Sequence, residues 1–374
     1  MAARTSAEAS ETRAGVGVRP PRLLLADRDH AGYSHDPEDV APLMRVGAMT
    51  RLREPAVVVY QIAEGAHQQT GVVVEVPIAD YRDRRVRPHE ATDPGREEGV
   101  LEHLTEARFQ NTPVMLTHQP RPALSEVLRT ITAAEPDVDL DTIGPATHRA
   151  WVVREAHALR VVGRELGALD ALYITDGHHR MAAAERFAAG HPEIGPDHAA
   201  AFTLGALFPS DEMRILGYPR SVVRPAGRTA RDILAILERS PAVARVDDWP
   251  GVHPPPPSPG AVALALDGRW YRMWLRDSTD GLLSQLDSVR LDHEVLVPLF
   301  GQHAVRYVRG ASEAETLDAL LTDHDGVGFL PHPATMADVV AVSDAGLVMP
   351  PKSTWFDPKA CQGLFSRQLV PPDA

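Results

Sequence analysis

Residues 171–189 read ALYITDGHHRMAAAERFAA, and within this stretch the pattern of a strand changes to that of a helix. The first five residues, ALYIT, are apolar and in part β-branched, which is typical of a buried strand. HHRMAAAERFAA (178–189) is rich in helix formers. Asp176 and Gly177 lie between the two segments, so the sequence predicts a strand–turn–helix unit with a polar turn.

This turn has the composition of an anion-binding site. Gly177 permits close approach of the backbone to a ligand, and the free N–H groups and dipole of the following helix favour negative charge. Arg180 adds a guanidinium that can bind a phosphate through two hydrogen bonds. We therefore expect a phosphate at residues 176–180. The alternative is a capped helix start, with Asp176 as N-cap and solvated histidines.

Strand and helix patterns alternate along the rest of the chain, which predicts a mixed α/β fold. The β-branched runs AVVVYQI (56–62) and GVVVEVPI (71–78) predict a hairpin with a longer loop. HPPPPSPG (253–260) predicts a surface loop, because proline has no N–H donor, and Asp267-Gly268 predicts a tight hairpin turn. Further helices are expected at 97–108, 156–166, 229–240, 311–323 and 335–346.

Charge and cysteine content limit the class of protein. With 38 basic and 51 acidic residues the net charge is −13, which argues against DNA or an anionic membrane as a partner. The single cysteine, Cys361, cannot form an internal disulfide, so a cytoplasmic protein is expected. Residues 1–20 lack a signal's apolar run and predict a flexible tail. We expect an N-terminal α/β lobe at 21–225 and a C-terminal α/β lobe at 226–374.

A second candidate motif is His89-Glu90-Ala91-Thr92. A partly buried Glu90 beside basic groups can act as a general base toward a hydroxyl, and Thr92 can bind an anion. The alternative is that Thr92 or Asp93 caps a helix that begins near Pro94. Capping alone leaves the pair His89 and Glu90 unexplained.

Other cationic side chains are candidate contacts for a substrate or a phosphate. In the predicted sheet region these are His148, Arg149 and Arg220, although single arginines near a sheet more often form surface ion pairs. Near the C-terminus, Lys352 stands beside Ser353 and Thr354, a set suited to a point-charge contact with phosphate, and Lys359 follows. The alternative for this segment is a structural strand held by the aromatic residues 355–356.

The histidines raise the question of a metal. Zinc takes three or four ligands, which His89, Glu90, His178 and His179 could supply if the two loops meet. Adjacent histidines do not share a helix face, so we expect no metal held by the protein itself. Magnesium that arrives with a nucleotide keeps its waters and needs few protein ligands.

ITDGHHRMAAAERF (174–187) resembles the signature of a bacterial family catalogued as domain of unknown function 1015. Further stretches resemble that family in the same order: RPHEATDPGREE (87–98), NTPVML (111–116), HRAWVV (148–153) and MPPKSTWFDPKACQGLF (349–365). The sequence is therefore identified as a member over about residues 55–367. It departs from the family near the start. Members usually have a Pro-Pro-Tyr-Asp segment, whereas here no Tyr-Asp pair follows Pro20-Pro21.

The family's turn is similar to the Gly-His-x-Arg loop of the ParB/sulfiredoxin fold, whose members include nucleotide-dependent free-serine kinases. By this likeness Asp176, Gly177, His178 and Arg180 match position by position, and His179 is the variable position. The resemblance implies a ParB/sulfiredoxin-like core packed against a second α/β lobe. It also implies transfer of a phosphoryl group from ATP or ADP, with Mg²⁺, to a hydroxylated metabolite such as serine.

On this hypothesis the candidate residues divide by role. The catalytic groups are Glu90, Asp176 and His178. The groups that bind nucleotide or phosphate are Gly177, His179, Arg180, Thr92, Lys352, Ser353 and Thr354. The groups that bind the substrate are His89, His148, Arg149 and Arg220. The expected partner is a small-molecule substrate. A homodimer is one option for the assembly.

Two other functions stay open. One is a nucleotide-binding regulator of the ParB type, although the net charge and the lack of a recognisable helix-turn-helix argue against DNA contact. The other is a different group-transfer enzyme acting on a small metabolite.

Overall fold

The structure, a computed structural model, describes residues 15–27, 40–140, 145–278, 281–308, 313–323 and 325–369. Up to residue 209 its elements are β1 (Leu24–Ala26), α1 (Val40–Arg45), β2 (Met49–Arg51), β3 (Val58–Glu64), β4 (His67–Pro77), α2 (Ile78–Arg82), β5 (Val86–Arg87), α3 (Pro94–Ala107), β6 (Phe109–Gln110), β7 (Val114–His118), α4 (Pro122–Thr132), β8 (Val138–Leu140), β9 (Thr147–Val152), α5 (Ala156–Gly167), β10 (Leu172–Asp176), α6 (His178–Ala189) and β11 (Phe202–Pro209).

The remaining elements are β12 (Ile215–Leu216), β13 (Arg220–Val223), α7 (Ala230–Glu238), β14 (Val243–Trp249), β15 (Ala261–Leu266), β16 (Arg269–Leu275), α8 (Asp287–Arg290), α9 (Val297–Phe300), β17 (Val305–Tyr307), α10 (Glu313–Thr322), β18 (Gly326–Pro331), α11 (Met336–Asp344), β19 (Trp355–Phe356) and β20 (Phe365–Gln368). A π-helical segment, Leu291–Leu296, joins α8 to α9. The mixed α/β fold expected from the sequence is confirmed. None of the helices within the described ranges is long and apolar enough to cross a membrane.

The first lobe is built on an eight-stranded sheet with the order β5-β10-β7-β11-β4-β3-β9-β8. β5 runs parallel to β10, and β7 runs parallel to β11, while the other neighbours are antiparallel. The expected hairpin is present as β3 and β4, but the expected longer loop was wrong, because only residues 65–66 separate the two strands. Gly65 takes a positive φ of 58°, which lets the chain reverse tightly, so the polar residues 67–70 pair within β4 instead.

Side chains of this sheet alternate between two cores, as the period of a strand requires. Val59 and Val74 face a core shared with α4 and α5, which includes Leu128. Val58 and Tyr60 face the opposite core, shared with the four-stranded sheet β2-β1-β20-β6. Both faces of the large sheet are therefore covered.

The second lobe is an antiparallel sheet with the order β14-β16-β15-β18-β13-β17. Its core is closed by α7 and by the helical segment that contains Leu291 and Leu296. Asp267 and Gly268 have φ values of 49° and 70°, so the tight turn expected between β15 and β16 is confirmed. Most of the proline-rich segment 253–260 is a loop between β14 and β15, as expected.

The expected extent of the second lobe, residues 226–374, differs from the structure at both its start and its end. β13 already belongs to the second sheet, because it pairs with β17 and β18. β20 returns to the first lobe, where it pairs with β1 and β6, and Leu364 and Phe365 enter the core beside Tyr60. Apolar residues near the C-terminus therefore complete the N-terminal lobe.

The expected flexible tail at 1–20 was wrong in its last part. Val16 is buried in the core that the large sheet shares with α4 and α5, and the N–H of Gly17 donates to the carboxylate of Asp80 at 2.7 Å. Arg19 forms an ion pair with Glu75. Residues 1–14 lie outside the described residues.

Candidate functional site

The polar turn after β10 is bent by Gly177, which has φ 95° and ψ 30°. Only glycine adopts this left-handed region without strain. Gly177 is itself the N-cap of α6 and has no side chain to cap it, so the expected capping role of Asp176 was wrong. The Asp176 carboxylate instead accepts hydrogen bonds from two cations.

Those two cations are Arg180 and Lys359. Arg180 Nη2 donates to Asp176 Oδ2 at 2.7 Å and to the carbonyl of Pro113 at 3.2 Å, while Lys359 Nζ pairs with Asp176 Oδ1. Burial raises the pKa of Asp176, but the charges and hydrogen bonds of Lys359 and Arg180 outweigh it and hold that pKa well below its usual range. This cluster of Asp176, Arg180 and Lys359 thus carries one excess positive charge.

A cavity of about 730 Å³ lies at this cluster. We call it the first cavity; it is lined by Glu90, Ala91, Thr92, Asp93, Pro94, Arg96, Val100, Thr175, Asp176, Gly177, His178, His179, Arg180, Tyr218, Tyr307, Pro351, Lys352, Thr354, Trp355, Phe356 and Lys359. The two loops singled out in the sequence meet here because β5 and β10 are adjacent and parallel, so their carboxyl ends lie at the same edge. Residues 89–92 follow β5, and residues 177–180 follow β10.

His89 and His178 pack against each other beneath this cavity. Their ring centroids are 4.7 Å apart, and His89 Nε2 lies 2.9 Å from Thr354 Oγ1. Burial lowers the pKa of His89 to about 4 and that of His178 well below its usual value, so both are neutral at pH 7. The expected substrate contact of His89 was wrong: the ring is buried and positions the loop, whereas His178 does line the cavity.

Glu90 faces the cavity beside two lysines. Burial raises the pKa of its carboxyl group, and the charge and backbone N–H of Lys352, together with the charge of Lys359, partly oppose that rise. The Asp176 carboxylate adds a small further increase. Glu90 therefore binds a proton more readily than an ordinary glutamate, and it lies next to two cationic side chains.

The rim beside Glu90 is tied to the start of α6. Asp93 caps α3 by accepting from the N–H of Arg96 at 2.9 Å, which confirms the capping alternative for that residue. The N–H of Asp93 in turn donates to His179 Nε2 at 2.9 Å. Thr92 lines the cavity and donates to Glu97 at 3.0 Å.

The segment around Lys352 serves both roles that the sequence left open. Lys352 and Thr354 line the cavity, while residues 355–356 form β19 and pair with β12. Lys352 Nζ lies 5.4 Å from the ring of Tyr218. Ser353 was expected to bind phosphate, but it is buried and donates to the carbonyl of Pro350 at 2.7 Å, outside the cavity lining.

Three further expected contacts were wrong because they are not part of the cavity lining: His148, Arg149 and Arg220. The Nδ1 atom of His148 lies 2.8 Å from the hydroxyl of Tyr60 inside the sheet core. Arg149 pairs with Asp139 on the neighbouring strand at 3.4 Å. Arg220 is fully buried and makes two hydrogen bonds of 2.9 Å to Asp292. In each case a partner within the fold takes the polar group.

Sequence reasoning missed Arg96, Thr175, Tyr218 and Tyr307, which also line the cavity. Thr175 is buried, and within the described residues its hydroxyl has no hydrogen-bond partner. Its place directly before Asp176 was the signal that could have found it. The tyrosines come from the region of the second sheet, so no local pattern connects them to the turn.

A metal fits this site poorly as a resident group. Within the described ranges, no three His, Cys, Asp or Glu side chains are placed to hold one. Both oxygens of Asp176 are already taken by cations. Any Mg²⁺ would therefore depend on its ligand's oxygens and on water.

Comparison with known proteins places this chain in a family. The family described as protein of unknown function (DUF1015) matches residues 18–293. The chain belongs to the DUF1015 family. Tyr307 and the segment around Lys352 lie beyond the matched residues, so this chain's cavity includes walls that the family match does not cover.

Several solved structures are similar to this chain, and no curated protein matches it. SbnI with a C-terminal truncation from Staphylococcus aureus has a TM-score of 0.43 and 12% identity, covering 81% of this chain and 90% of that one. A mutant free serine kinase in complex with ADP has a TM-score of 0.40 and 14% identity, covering 80% and 92%. A conserved hypothetical protein from Pyrococcus furiosus has a TM-score of 0.38 and 12% identity, covering 80% and 95%.

Proposed function

We propose that this protein transfers a phosphoryl group from a nucleotide to the hydroxyl of a small metabolite, such as a free hydroxy amino acid. One observation carries the proposal: the Glu90 carboxylate and the cationic cluster at Asp176 face the same cavity. Phosphoryl transfer needs a positioned acceptor and positive charge around the moving group, and little other chemistry from the protein.

The phosphate end of the site is the start of α6. This helix has twelve residues, and its first N–H groups have no partner within the helix, so they can donate to phosphate oxygens. Arg180, Lys359 and Lys352 add positive charge on the same cavity. Asp176 fixes two of these cations in place, which lowers the reorganisation needed when an anion binds.

Glu90 is the candidate general base. A carboxylate whose pKa is raised by burial accepts a proton more readily than an ordinary glutamate. In this role Glu90 takes the proton of the acceptor hydroxyl as the hydroxyl oxygen bonds to the terminal phosphorus of the nucleotide. The bond from that phosphorus to the bridging oxygen breaks, and the nucleotide leaves with that oxygen and one phosphate fewer. His178 is neutral and buried, and we assign it a positioning role beside His89.

The donor is ATP or ADP in this proposal, and Mg²⁺ accompanies its phosphates and neutralises part of their charge. The occupied oxygens of Asp176 favour this arrangement over a metal held by the protein. The cationic cavity also suits a small anionic acceptor, because Lys352 can pair with a carboxylate.

The proposal is tested by incubating the protein with Mg²⁺ and ATP, ADP or CTP against serine, threonine, homoserine and glycerate. Phosphorus NMR should show a new phosphomonoester with one donor and acceptor pair. The Glu90→Gln variant, with nearly the same side-chain shape, should form little of it. No turnover of any nucleotide with any acceptor counts against the function.

A further inference from the structure

A second cavity of about 520 Å³ adjoins the first. It is lined by Arg96, Gly99, Val100, His103, Leu104, Phe109, Gln110, Asn111, Thr112, Arg180, Thr203 and Gln362. Arg96, Val100 and Arg180 line both cavities, so two guanidinium-bearing residues stand at the boundary. The two cavities are therefore neighbours that share part of their walls.

The second cavity differs in chemistry from the first. Val100, Leu104 and Phe109 give it an apolar side, and the ring of His103 packs edge-on against Phe109 at 5.5 Å. Side-chain amides and hydroxyls from 110–112 and from Gln362 form its polar part. Acidic side chains and lysines are absent from the lining that the structure describes. Such a lining suits a neutral, ring-shaped group with hydrogen-bonding edges.

The geometry of phosphoryl transfer separates the two ends of the reaction. The attacking and leaving oxygens lie roughly in line on opposite sides of the transferred group. Glu90 lines only the first cavity, so that cavity contains the acceptor side. The leaving group then extends past the guanidinium of Arg180, toward the second cavity.

Arg180, which lines both cavities, also has a buried donor without a partner in the described part of the chain. Its Nη2 is used by Asp176 and Pro113, but within the described residues its buried Nε has no hydrogen-bond partner. A buried N–H without a partner costs free energy, which a phosphate oxygen at the boundary would recover.

We propose that the second cavity binds the nucleoside part of the donor nucleotide, with Arg96 and Arg180 contacting its phosphates at the boundary. This inference rests on the proposed function and adds to it the place of the donor. The base and sugar occupy the less charged cavity, and the phosphates extend into the cationic one.

Gly99 provides a direct test, because it lies on α3 in the wall of the second cavity. A Cβ built on Gly99 meets no atom within 4 Å, so a larger side chain there enters open space. Gly163 on α5 is the matched control: it is exposed, it also meets no atom within 4 Å, and it lines neither cavity. Leucine at either helical position avoids the flexibility of glycine.

The test measures the affinities of Gly99→Leu and Gly163→Leu for two probes by calorimetric titration. The probes are ADP and pyrophosphate, which has no nucleoside. We expect Gly99→Leu to weaken ADP binding about ten-fold or more while pyrophosphate binds as in the wild type. Gly163→Leu should bind both as the wild type does. Unchanged ADP affinity in Gly99→Leu, or an equal loss for both probes, overturns the proposal.

The same variants distinguish this inference from the proposed function. If Gly99→Leu raises the KM of the acceptor but leaves ADP affinity intact, the cavity binds the acceptor, and only the donor's location is wrong. If the wild type binds ADP selectively through the second cavity but transfers no phosphate to any acceptor, the location holds and the kinase function fails. A wild type that binds none of ATP, ADP and CTP overturns both.

Discussion

Arg180 and Asp176 form an ion pair across the turn between β10 and α6, with 2.7 Å between Nη2 and Oδ2. The pair is only partly exposed, and Lys359 approaches the same carboxylate from near the C-terminus. From the sequence we expected the Arg180 guanidinium to bind a phosphate, and Arg180 lines the first cavity. The ion pair holds this guanidinium in place before any ligand arrives, while its buried Nε has no hydrogen-bond partner within the described residues.

Arg180→Ala should weaken ADP binding much more than it weakens the fold. We expect a loss of about 1.5–3 kcal/mol in binding, the range for hydrogen bonds to charged groups. The free energy of unfolding should fall by about 1 kcal/mol or less, because the pair is partly solvated and Lys359 still neutralises Asp176. Arg82→Ala is the control, since Arg82 pairs with Glu185 away from both cavities. Equal ADP affinity in the two variants would exclude a phosphate contact at Arg180.

Gly177→Ala should damage ligand binding beyond its effect on the backbone. A Cβ at Gly177 would lie 2.7 Å from Arg180 Nη2, so the guanidinium must move from its place beside Asp176. Gly227 also has a positive φ, 75°, but a Cβ there meets nothing within 4 Å. Both substitutions should therefore cost about 1–2 kcal/mol of unfolding free energy through left-handed strain. Only Gly177→Ala should lose affinity for ADP, as measured by titration at matched folded fraction.

Glu90→Gln should lower kcat about 10²- to 10⁴-fold, the range for loss of a general base, with little change in the Kd of ADP. The wild-type rate should fall toward acid, because the base must be ionised. Burial raises the pKa of Glu90, so the midpoint of that fall should lie above that of an ordinary glutamate. The pH profile of kcat/KM measures this. A variant that keeps the acid limb would show that another group is the base.

His148 should make the protein less stable as pH falls from about 6.5 to 4. Burial lowers the pKa of His148 to about 4, whereas an unfolded histidine titrates near 6.5. Between these values the unfolded chain binds more protons, so the unfolding free energy decreases on acidification by up to about 1.4 kcal/mol per pH unit from this group. Denaturant melts should show a shallower pH slope for His148→Gln. The exposed His157→Gln should keep the wild-type slope.

Local patterns were sufficient to predict the turn and its helix. The apolar run before Asp176 and the glycine after it specify a strand and a bend without reference to distant residues. The convergence of the Glu90 loop on this turn follows from one further fact, the parallel pairing of β5 with β10. That pairing depends on long-range packing. β5 has only two residues, and neither it nor the residues beside it carry a local pattern that predicts its partner strand.

Other features required knowledge of distant partners. Arg149 and Arg220 look like ligand contacts in the sequence, but Asp139 and Asp292 take up their charges once the strands and helices pack. The same applies to β20, whose pairing with β1 joins residues more than three hundred positions apart. An amphipathic pattern shows which face is buried but leaves open which distant partner covers it.

The first cavity has walls from both lobes, with Glu90 following a strand of the first sheet and Tyr307 ending a strand of the second. A ligand that fills it therefore touches two separately built cores and ties them together. Its binding free energy is then added to the lobe interface, so mass action makes the joined arrangement more populated as the ligand concentration rises. If the proposed function is right, the metabolite and its nucleotide help to hold the two lobes together.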